Sequence, residues 1–320
     1  MIFDRKKMFF LKLGLGIAAF AAVINLLDWN AIGDAAQQLT ISSVLLVLVC
    51  ILSEFPFLAW RWHLIVREES SRPARRHFET YFIAAYLGAF TPGHLGTDAY
   101  RLVSMRSHGV RTSPILAMLL HERLLGLLGY LLFLAIAASI AVQIDERIPA
   151  EGRSFLLLCA VLSSLGVAAI IGARYIVCSL RAITVRRKKS YVSEIIELSD
   201  RAFRLRELPE AAKLLGLTII GDVSVWVLAF YIAALAIGVD ISYFLIGAIV
   251  MIVELMRLIP LTVQGIGVRE AAFSALFGLV GQDPATGFVI STLCFVLLNV
   301  ATLMIGLVGY VLTFSSRRIA

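Results

Sequence analysis

Apolar residues occur along this chain in long uninterrupted runs rather than in the alternations typical of a soluble domain. No charged residue occurs from Leu124 to Ile144, from Phe155 to Ala173 or from Ala285 to Ser316. Runs of this size match the roughly 20 residues that a helix needs to cross about 30 Å of hydrocarbon. The pattern therefore predicts an all-α, polytopic membrane protein, with residues 1–320 forming one transmembrane domain.

Eight hydrophobic segments follow from the same pattern. They are residues 8–27, 41–60, 78–91, 115–142, 154–177, 214–238, 241–260 with 267–281, and 286–313. Lys and Arg concentrate in alternate connections, with five in 61–77 and ten in 174–213 but none in 28–40. Because basic connections stay on the cytoplasmic side, we expect both termini and a linker at 178–213 in the cytoplasm. The expected location is the inner (plasma) membrane.

Segment 78–91 conflicts with a chain of simple spans. Both of its flanks are basic, it is short, and it ends in the helix-breaking run Thr91-Pro92-Gly93-His94-Leu95-Gly96. A re-entrant hairpin, entering and leaving on the cytoplasmic side, resolves this conflict. Residues 241–281, interrupted at 260–267, predict a second hairpin from the opposite face. The chain then contains two inverted repeats, 41–142 and 214–313, with six full spans and two hairpins. Eight plain spans are the alternative.

Ionisable residues beside the two breaks are the candidate site, because a charge deep in a membrane helix costs about 2.5–3.5 kcal/mol. Asp98 and Arg101 share a helix face if a helix begins at Thr97, which would also cap it. Arg101 either binds a lipid phosphate or forms a structural ion pair with Asp98. At the second break, Arg269 is predicted to face a cavity while Glu270 pairs elsewhere. A structural ion pair is the alternative there too.

Two further sets of residues surround these charges. Glycines at the breaks allow the backbone to approach a ligand or the other hairpin closely, and they are Gly93, Gly96, Gly265 and Gly267. Charged residues predicted to form ion pairs around the substrate rather than to bind it are Glu122, Arg123, Glu254 and Arg257. We expect Glu122 to pair with Arg101 or Arg257.

Composition narrows the partners. The chain is 60% hydrophobic with a mean hydropathy of +0.89, whereas soluble domains are about 45–50% apolar. The chain has a net charge of +7, and its Lys and Arg residues lie in short stretches between apolar runs. This placement favours anionic lipid headgroups over nucleic acid as binding partners. The four cysteines are scattered, so neither a metal nor another cofactor is expected. Trp60, Trp62 and Tyr81 are interpreted as anchors at the membrane interface.

Short motifs at both breaks and before the long run at 124–144 suggest a family. They are Pro92-Gly93-His94-Leu95-Gly96 with Tyr100-Arg101-Leu102, then His121-Glu122-Arg123-Leu124-Leu125, and Gly265-Ile266-Gly267-Val268-Arg269-Glu270. They resemble the lysylphosphatidylglycerol synthetase transmembrane-domain family of flippase-like membrane proteins. Val263-Gln264-Gly265 departs from the family's usual Pro-Gly-Gly, and Asp98 stands where the family often has Glu. The resemblance implies lipid translocation by a stand-alone member without the aminoacyl-transferase domain.

Three functions compete. The favoured one is a flippase or scramblase-like transporter of a phosphate-bearing lipid, either an aminoacylated phospholipid or a polyprenyl-phosphate-linked sugar. A lipid-modifying enzyme is disfavoured, because the isolated Asp145 and Glu146 do not supply the paired acids of metal-assisted chemistry. An assembly subunit for an envelope-lipid pathway is the third. His94 and His121 would relay protons if transport is proton-coupled, although packing roles are favoured. The sequence leaves homo-oligomerisation open.

Overall fold

The computed structural model describes residues 29–89, 91, 95–184, 208–259, 262 and 264–317, together with isolated positions 14 and 17. These residues form helices and connecting loops, without a strand. The helices are α1 (Trp29–Gln37), α2 (Ile41–Val66), α3 (Ala74–Ala89), α4 (Leu95–Arg106), α5 (Thr112–Ile144), α6 (Ala150–Thr184), α7 (Leu208–Leu217), α8 (Val225–Ala236), α9 (Tyr243–Arg257), α10 (Val268–Leu279) and α11 (Pro284–Arg317). The predicted all-α fold is confirmed.

Five stretches of helix in the described part of the chain are long and apolar enough to cross a membrane. They are Ile41–Val66, Thr112–Ile144, Ala150–Ala173, Glu210–Ala236 and Pro284–Thr313. Their outer faces carry leucines that are 47–64% exposed, including Leu157, Leu162, Leu165, Leu303 and Leu307. Apolar surface on this scale requires lipid rather than water around it. The protein is therefore a multi-pass membrane protein. Apart from isolated positions 14 and 17, the predicted first span, 8–27, lies outside the described residues.

Two pairs of short helices stand at the predicted breaks. Helices α3 and α4 have 16 and 12 residues, and α9 and α10 have 15 and 12. At 1.5 Å per residue each arm is about 18–24 Å long, less than the roughly 30 Å of a hydrocarbon core. Within each pair the two arms pack on one another. This geometry favours hairpins over eight plain spans, while entry from opposite membrane faces stays a prediction.

The two halves of the chain interlock rather than standing side by side. Helix α2 packs on α8, α3 packs on α11, and α5 packs on α9. The buried core of the second half is built from large apolar side chains such as Phe230, Ile246, Ile249, Phe273 and Phe277. Because helices of both halves alternate in space, polar side chains from distant parts of the sequence can meet in the middle.

Three features of the helices differ from the predicted segments. The short helix α1 falls in the connection 28–40, which was expected to be a loop. A π-helical stretch, Thr218–Ser224, interrupts the span between α7 and α8, and such stretches often mark functional sites. The linker predicted at 178–213 is partly helical, because α6 continues to Thr184 and α7 begins at Leu208. Residues 185–207 lie outside the described part.

Candidate functional site

A cavity of about 400 Å³ lies between the two halves, within the size range of small-molecule sites. Helices α2, α3, α4, α5, α8, α9 and α11, the π-helical stretch and the tip of the second hairpin all contribute to its wall. Its charged lining residues are Glu54, Arg61, Arg101, Glu122, Arg123, Asp222, Glu254 and Arg257. A cavity with so many ionisable groups inside apolar helices indicates a functional site.

Arg61 is the centre of one ion-pair network. Its Nη1 donates to Oδ2 of Asp222 at 2.7 Å and to Oγ1 of Thr218 at 3.1 Å. Its Nη2 lies 3.5 Å from Oε1 of Glu122, and the Tyr130 hydroxyl donates to Oδ1 of Asp222 at 3.3 Å. Asp222 and Thr218 both belong to the π-helical stretch. The network therefore joins α2 and α5 of the first half to the second half.

Arg101 is held from three sides. Its Nη1 donates to Oε2 of Glu122, so that Glu122 bridges Arg101 and Arg61. Its guanidinium carbon lies 4.4 Å from the ring centre of Trp62 and 4.6 Å from that of Tyr81, which is cation–π geometry. Trp62 is 1% exposed and Tyr81 7%. Their prediction as interface anchors is wrong, because they orient a buried arginine instead.

The Asp98–Arg101 pair considered from the sequence does not form. Arg123 of α5 donates to Oδ2 of Asp98 at 3.0 Å, at a partly exposed position, while Arg101 pairs with Glu122. The helix begins at Leu95 rather than at Thr97, so Thr97 lies within the first turn instead of capping it. The spacing of Asp98 and Arg101 along α4 allowed them to pair. Their partners are instead Arg123 and Glu122 of the adjacent α5.

The second half contributes one ion pair to the cavity. Nη1 of Arg257 donates to both carboxylate oxygens of Glu254, at 2.6 and 2.8 Å. The indole of Trp226 also donates to Glu254, at 3.1 Å. The pairing within α9 agrees with the sequence prediction, and Glu122 takes Arg101 rather than Arg257. All four residues predicted to surround the substrate, Glu122, Arg123, Glu254 and Arg257, line the cavity wall.

Arg269 and Glu270 do not separate as predicted. They pair with each other, each 1% exposed, and Glu270 accepts the backbone N–H of Gly267 at 2.7 Å. The Arg269 guanidinium also lies 3.9 Å from the ring centre of Phe295. Neither residue lines the cavity. The prediction that Arg269 faces it is corrected: the carboxylate turns back to cap the start of α10 and takes the arginine with it.

The glycines at the two breaks allow the hairpins to adopt their backbone geometry. A Cβ on Gly96 would lie 2.6 Å from the carbonyl oxygen of Leu87, so the arms of the first hairpin approach too closely for a side chain. Gly265 and Gly267 both have φ of +79°, a conformation that glycine adopts without strain. These three glycines are absent from the cavity lining. Gly93 lies outside the described residues.

The tips of the two hairpins touch each other. The side-chain amide of Gln264 donates to the carbonyl oxygen of Ala89 at the end of α3. Gln264 is the one non-glycine with positive φ among the described residues, at +55°, and it also lines the cavity. The departure Val263-Gln264-Gly265, noted in the sequence, therefore lies where the halves meet, with Val263 itself outside the described residues.

Four polar atoms in the cavity wall stay without a partner. Within the described part of the chain, no hydrogen bond reaches the buried Nε atoms of Arg61, Arg101 and Arg257, or Oε2 of Glu54. A buried polar group without a partner costs about 1–3 kcal/mol, and more when it is charged. Three of these atoms are N–H donors on guanidinium groups whose Nη atoms donate to carboxylates.

Sequence reasoning missed several residues of this wall. Arg61 was counted as one of the basic residues that orient the chain, whereas it is buried and paired. Glu54 and Asp222 lie inside apolar runs, where the sequence alone assigns them no role, and Tyr130 has no distinguishing sequence signal. The available signal was the charge itself, since Glu54 and Asp222 lie near the middle of spanning helices. Within the described residues, no group of three His, Cys, Asp or Glu side chains is arranged to hold a metal ion.

Comparison with known proteins supports the family that the short motifs suggest. A comparison with curated protein sequences finds no match. The family described as the lysylphosphatidylglycerol synthase TM region matches residues 9–306, which include every residue that lines the cavity. The match covers nearly the whole chain, so the protein belongs to the lysylphosphatidylglycerol synthase TM region family.

Proposed function

We propose that this protein moves a phosphate-bearing lipid between the leaflets of the inner membrane and holds the headgroup in the central cavity. Family membership ties the protein to membrane lipids. The observation that carries the proposal is the set of three buried, unpartnered Nε–H donors of Arg61, Arg101 and Arg257 in one cavity wall. Guanidinium groups match phosphate in both charge and geometry, and a movement that opens these buried donors to the cavity would let a phosphate oxygen satisfy them.

The arrangement of the halves supports transport rather than static binding. The cavity lies between interlocked halves, and two short-helix hairpins meet beside it through Gln264. Interrupted helices that meet at a central site are typical of transporters with inverted repeats. In this proposal the hairpins enter from opposite faces and both termini are cytoplasmic. A small movement of one half against the other would then expose the headgroup site to either leaflet.

The same wall gives less support to an enzyme. Asp222, Glu122 and Glu254 accept hydrogen bonds from arginines, so these carboxylates are occupied rather than arranged as a metal-binding or acid–base pair. We therefore propose a transporter without catalytic residues. The candidate substrates remain an aminoacylated phospholipid and a polyprenyl-phosphate-linked sugar, since both carry phosphate.

The test is lipid movement in liposomes reconstituted with purified protein and headgroup-labelled lipids of both classes, read by dithionite or enzymatic access to each leaflet. Arg101→Lys keeps a charge for Glu122 but removes the Nε–H and the planar group between Trp62 and Tyr81. We expect protein-dependent movement of one lipid class in the wild type. We expect about a tenfold lower rate in Arg101→Lys, because a charge-assisted hydrogen bond contributes about 1.5–3 kcal/mol.

Arg106→Lys is the matched control, because Arg106 lies on the same helix and is exposed. It should transport like the wild type. A rate for Arg101→Lys equal to that of the control would show that the cavity does not hold the headgroup. Absence of movement for either lipid, with the wild type verified as folded, would contradict the transporter and favour an assembly subunit or a lipid-modifying enzyme.

A further inference from the structure

Among the described residues, Glu54 is the one carboxylate of the cavity wall that forms no ion pair. Each of the four cavity arginines contacts at least one carboxylate: Arg61 with Asp222, Arg101 with Glu122, Arg123 with Asp98, and Arg257 with Glu254. Oε2 of Glu54 is buried and accepts no hydrogen bond from the residues that the structure describes. The four cations are thus balanced by four anions without Glu54.

The position of Glu54 makes its charge costly. It lies about 20 Å along α2 from Ile41, close to the midpoint of this 26-residue helix, at 1.5 Å per residue. An unpaired charge at this depth of a membrane helix costs several kcal/mol. Like charges act on it from Asp222 and Glu254, with smaller opposing effects from Arg61 and Arg257. The ionisable groups that act on Glu54, or on which it acts, are Cys50, Arg61, Tyr130, Asp222, Glu254 and Arg257.

We propose that Glu54 is a proton-binding site that couples proton movement to lipid movement, which rests on the proposed transport function. In the empty cavity Glu54 takes a proton from water and becomes neutral. An ionised Glu54 would repel an incoming phosphate, so the phosphate and the proton favour each other's binding, and this coupling is reciprocal. When the cavity opens to the other side, the lipid leaves and Glu54 releases its proton to the water there.

This inference places the coupling group elsewhere than the sequence suggested. His94 lies outside the described residues, and His121 does not line the cavity. Glu54 lines it beside Arg61 and Arg257, two of the arginines with free Nε–H donors. The proton site and the anion site therefore share one chamber, as co-transport of a proton with an anionic headgroup requires.

The first experiment measures the proton directly and does not depend on transport. Infrared difference spectra of the purified protein, taken between neutral and alkaline pH, where exposed carboxyl groups are already ionised, should show the C=O stretch of a protonated carboxyl group. Glu54→Gln should remove this band, and glutamine should preserve the fold because it is isosteric with the neutral acid. Glu151→Gln is the matched control, since Glu151 is exposed at the start of α6, and it should keep the band. Absence of the band in the wild type, or its persistence in Glu54→Gln, overturns the proton site.

The second experiment measures coupling in proteoliposomes with the headgroup-labelled lipid that the wild type moves. For one proton per lipid, a gradient of about one pH unit should drive about a tenfold accumulation in one leaflet, since a factor of ten corresponds to about 1.4 kcal/mol. Glu54→Gln should give a leaflet ratio of about one, and Glu151→Gln should behave like the wild type. If the wild type moves lipid independently of the pH gradient, the coupling is contradicted but the transport function is not. No wild-type movement at all contradicts the transporter, and with it the coupling, while the infrared band still decides the proton site.

Discussion

At the scale of single residues, each of three cavity guanidiniums has paired and unpaired nitrogens within the described part of the chain. Nη atoms of Arg61, Arg101 and Arg257 donate to carboxylates, while their Nε atoms stay without a partner in the described part of the chain. The carboxylates fix the position of each cation. A preorganised site of this kind costs stability, because every charge in it is removed from water.

Glu122 is the carboxylate on which this arrangement depends most, because it bridges Arg61 and Arg101. Glu122→Gln removes its charge and leaves two buried arginines undercompensated. We expect the free energy of unfolding to fall by about 3 kcal/mol, since breaking a buried ion pair costs about 3–5 kcal/mol. The measurement is denaturant or thermal unfolding in detergent, followed by circular dichroism.

Glu210→Gln is the control for this prediction. Glu210 pairs with Arg67 at 2.6 Å, but the two side chains are 40% and 43% exposed. An exposed pair contributes about 0–1 kcal/mol, so the loss should be small. Equal losses for the two variants would mean that the bridging role of Glu122 adds nothing to stability.

At the scale of elements, close backbone approach shapes both the first hairpin and the π-helical stretch. The backbone N–H of Gly96 donates to Oγ1 of Thr91 at 2.8 Å, which closes the first hairpin. In the π-helical stretch, a Cβ on Gly221 would lie 2.2 Å from Cβ of Phe57. Glycine here lets α2 approach closely enough for Arg61 to reach Asp222 and Thr218. The elements therefore present the charges only because small residues allow their backbones to meet.

Gly96→Ala tests the tight hairpin. The new methyl group would lie 2.6 Å from the Leu87 carbonyl oxygen and 2.9 Å from Oγ1 of Thr91, so the backbone of one arm must move. We expect a loss of about 1–3 kcal/mol of unfolding free energy, the usual cost of overpacking. Gly172→Ala is the control, because no atom lies within 4 Å of its added Cβ. It should leave stability unchanged or raise it by up to about 1 kcal/mol through helix propensity, and a similar loss in both variants would contradict the close approach.

At the scale of the whole molecule, the two halves communicate through the cavity and through the hairpin tips. Arg61 and Tyr130 of the first half contact Asp222 of the second, and Gln264 contacts the carbonyl of Ala89. Movement of one half must therefore break or rearrange polar contacts in the wall of the cavity. This is the physical basis on which binding could control which leaflet the cavity faces.

Gln264→Gly tests the contact between the tips. It removes the hydrogen bond to Ala89 while keeping a residue that accepts the φ of +55°. Amide hydrogen exchange read by mass spectrometry should become several-fold faster in the last turn of α3, although the substitution lies in the other half of the chain. Exchange in α6, which does not reach the tips, should stay as in the wild type. Unchanged exchange in α3 would show that the tips are independent.

The sequence by itself determined that the protein crosses the membrane several times, because hydropathy is a local property that each long apolar run carries alone. It also located both helix pairs, since proline and glycine interrupt helices wherever they occur. The family, confirmed by a match over residues 9–306, was likewise readable from short motifs.

Only the tertiary structure decided which charges meet. Arg101 had candidate partners on its own helix and on one other, and it took Glu122 because α4 packs on α5. Arg269 turned to its neighbour Glu270, whereas Arg61, counted as a topology signal, entered the cavity wall. Ion pairs depend on the rotation of each helix and on neighbours far away in the sequence. The sequence alone specifies neither of these. For the same physical reason, Glu54 could be seen as unusual from its sequence but identified as the unpaired acid only in the folded protein.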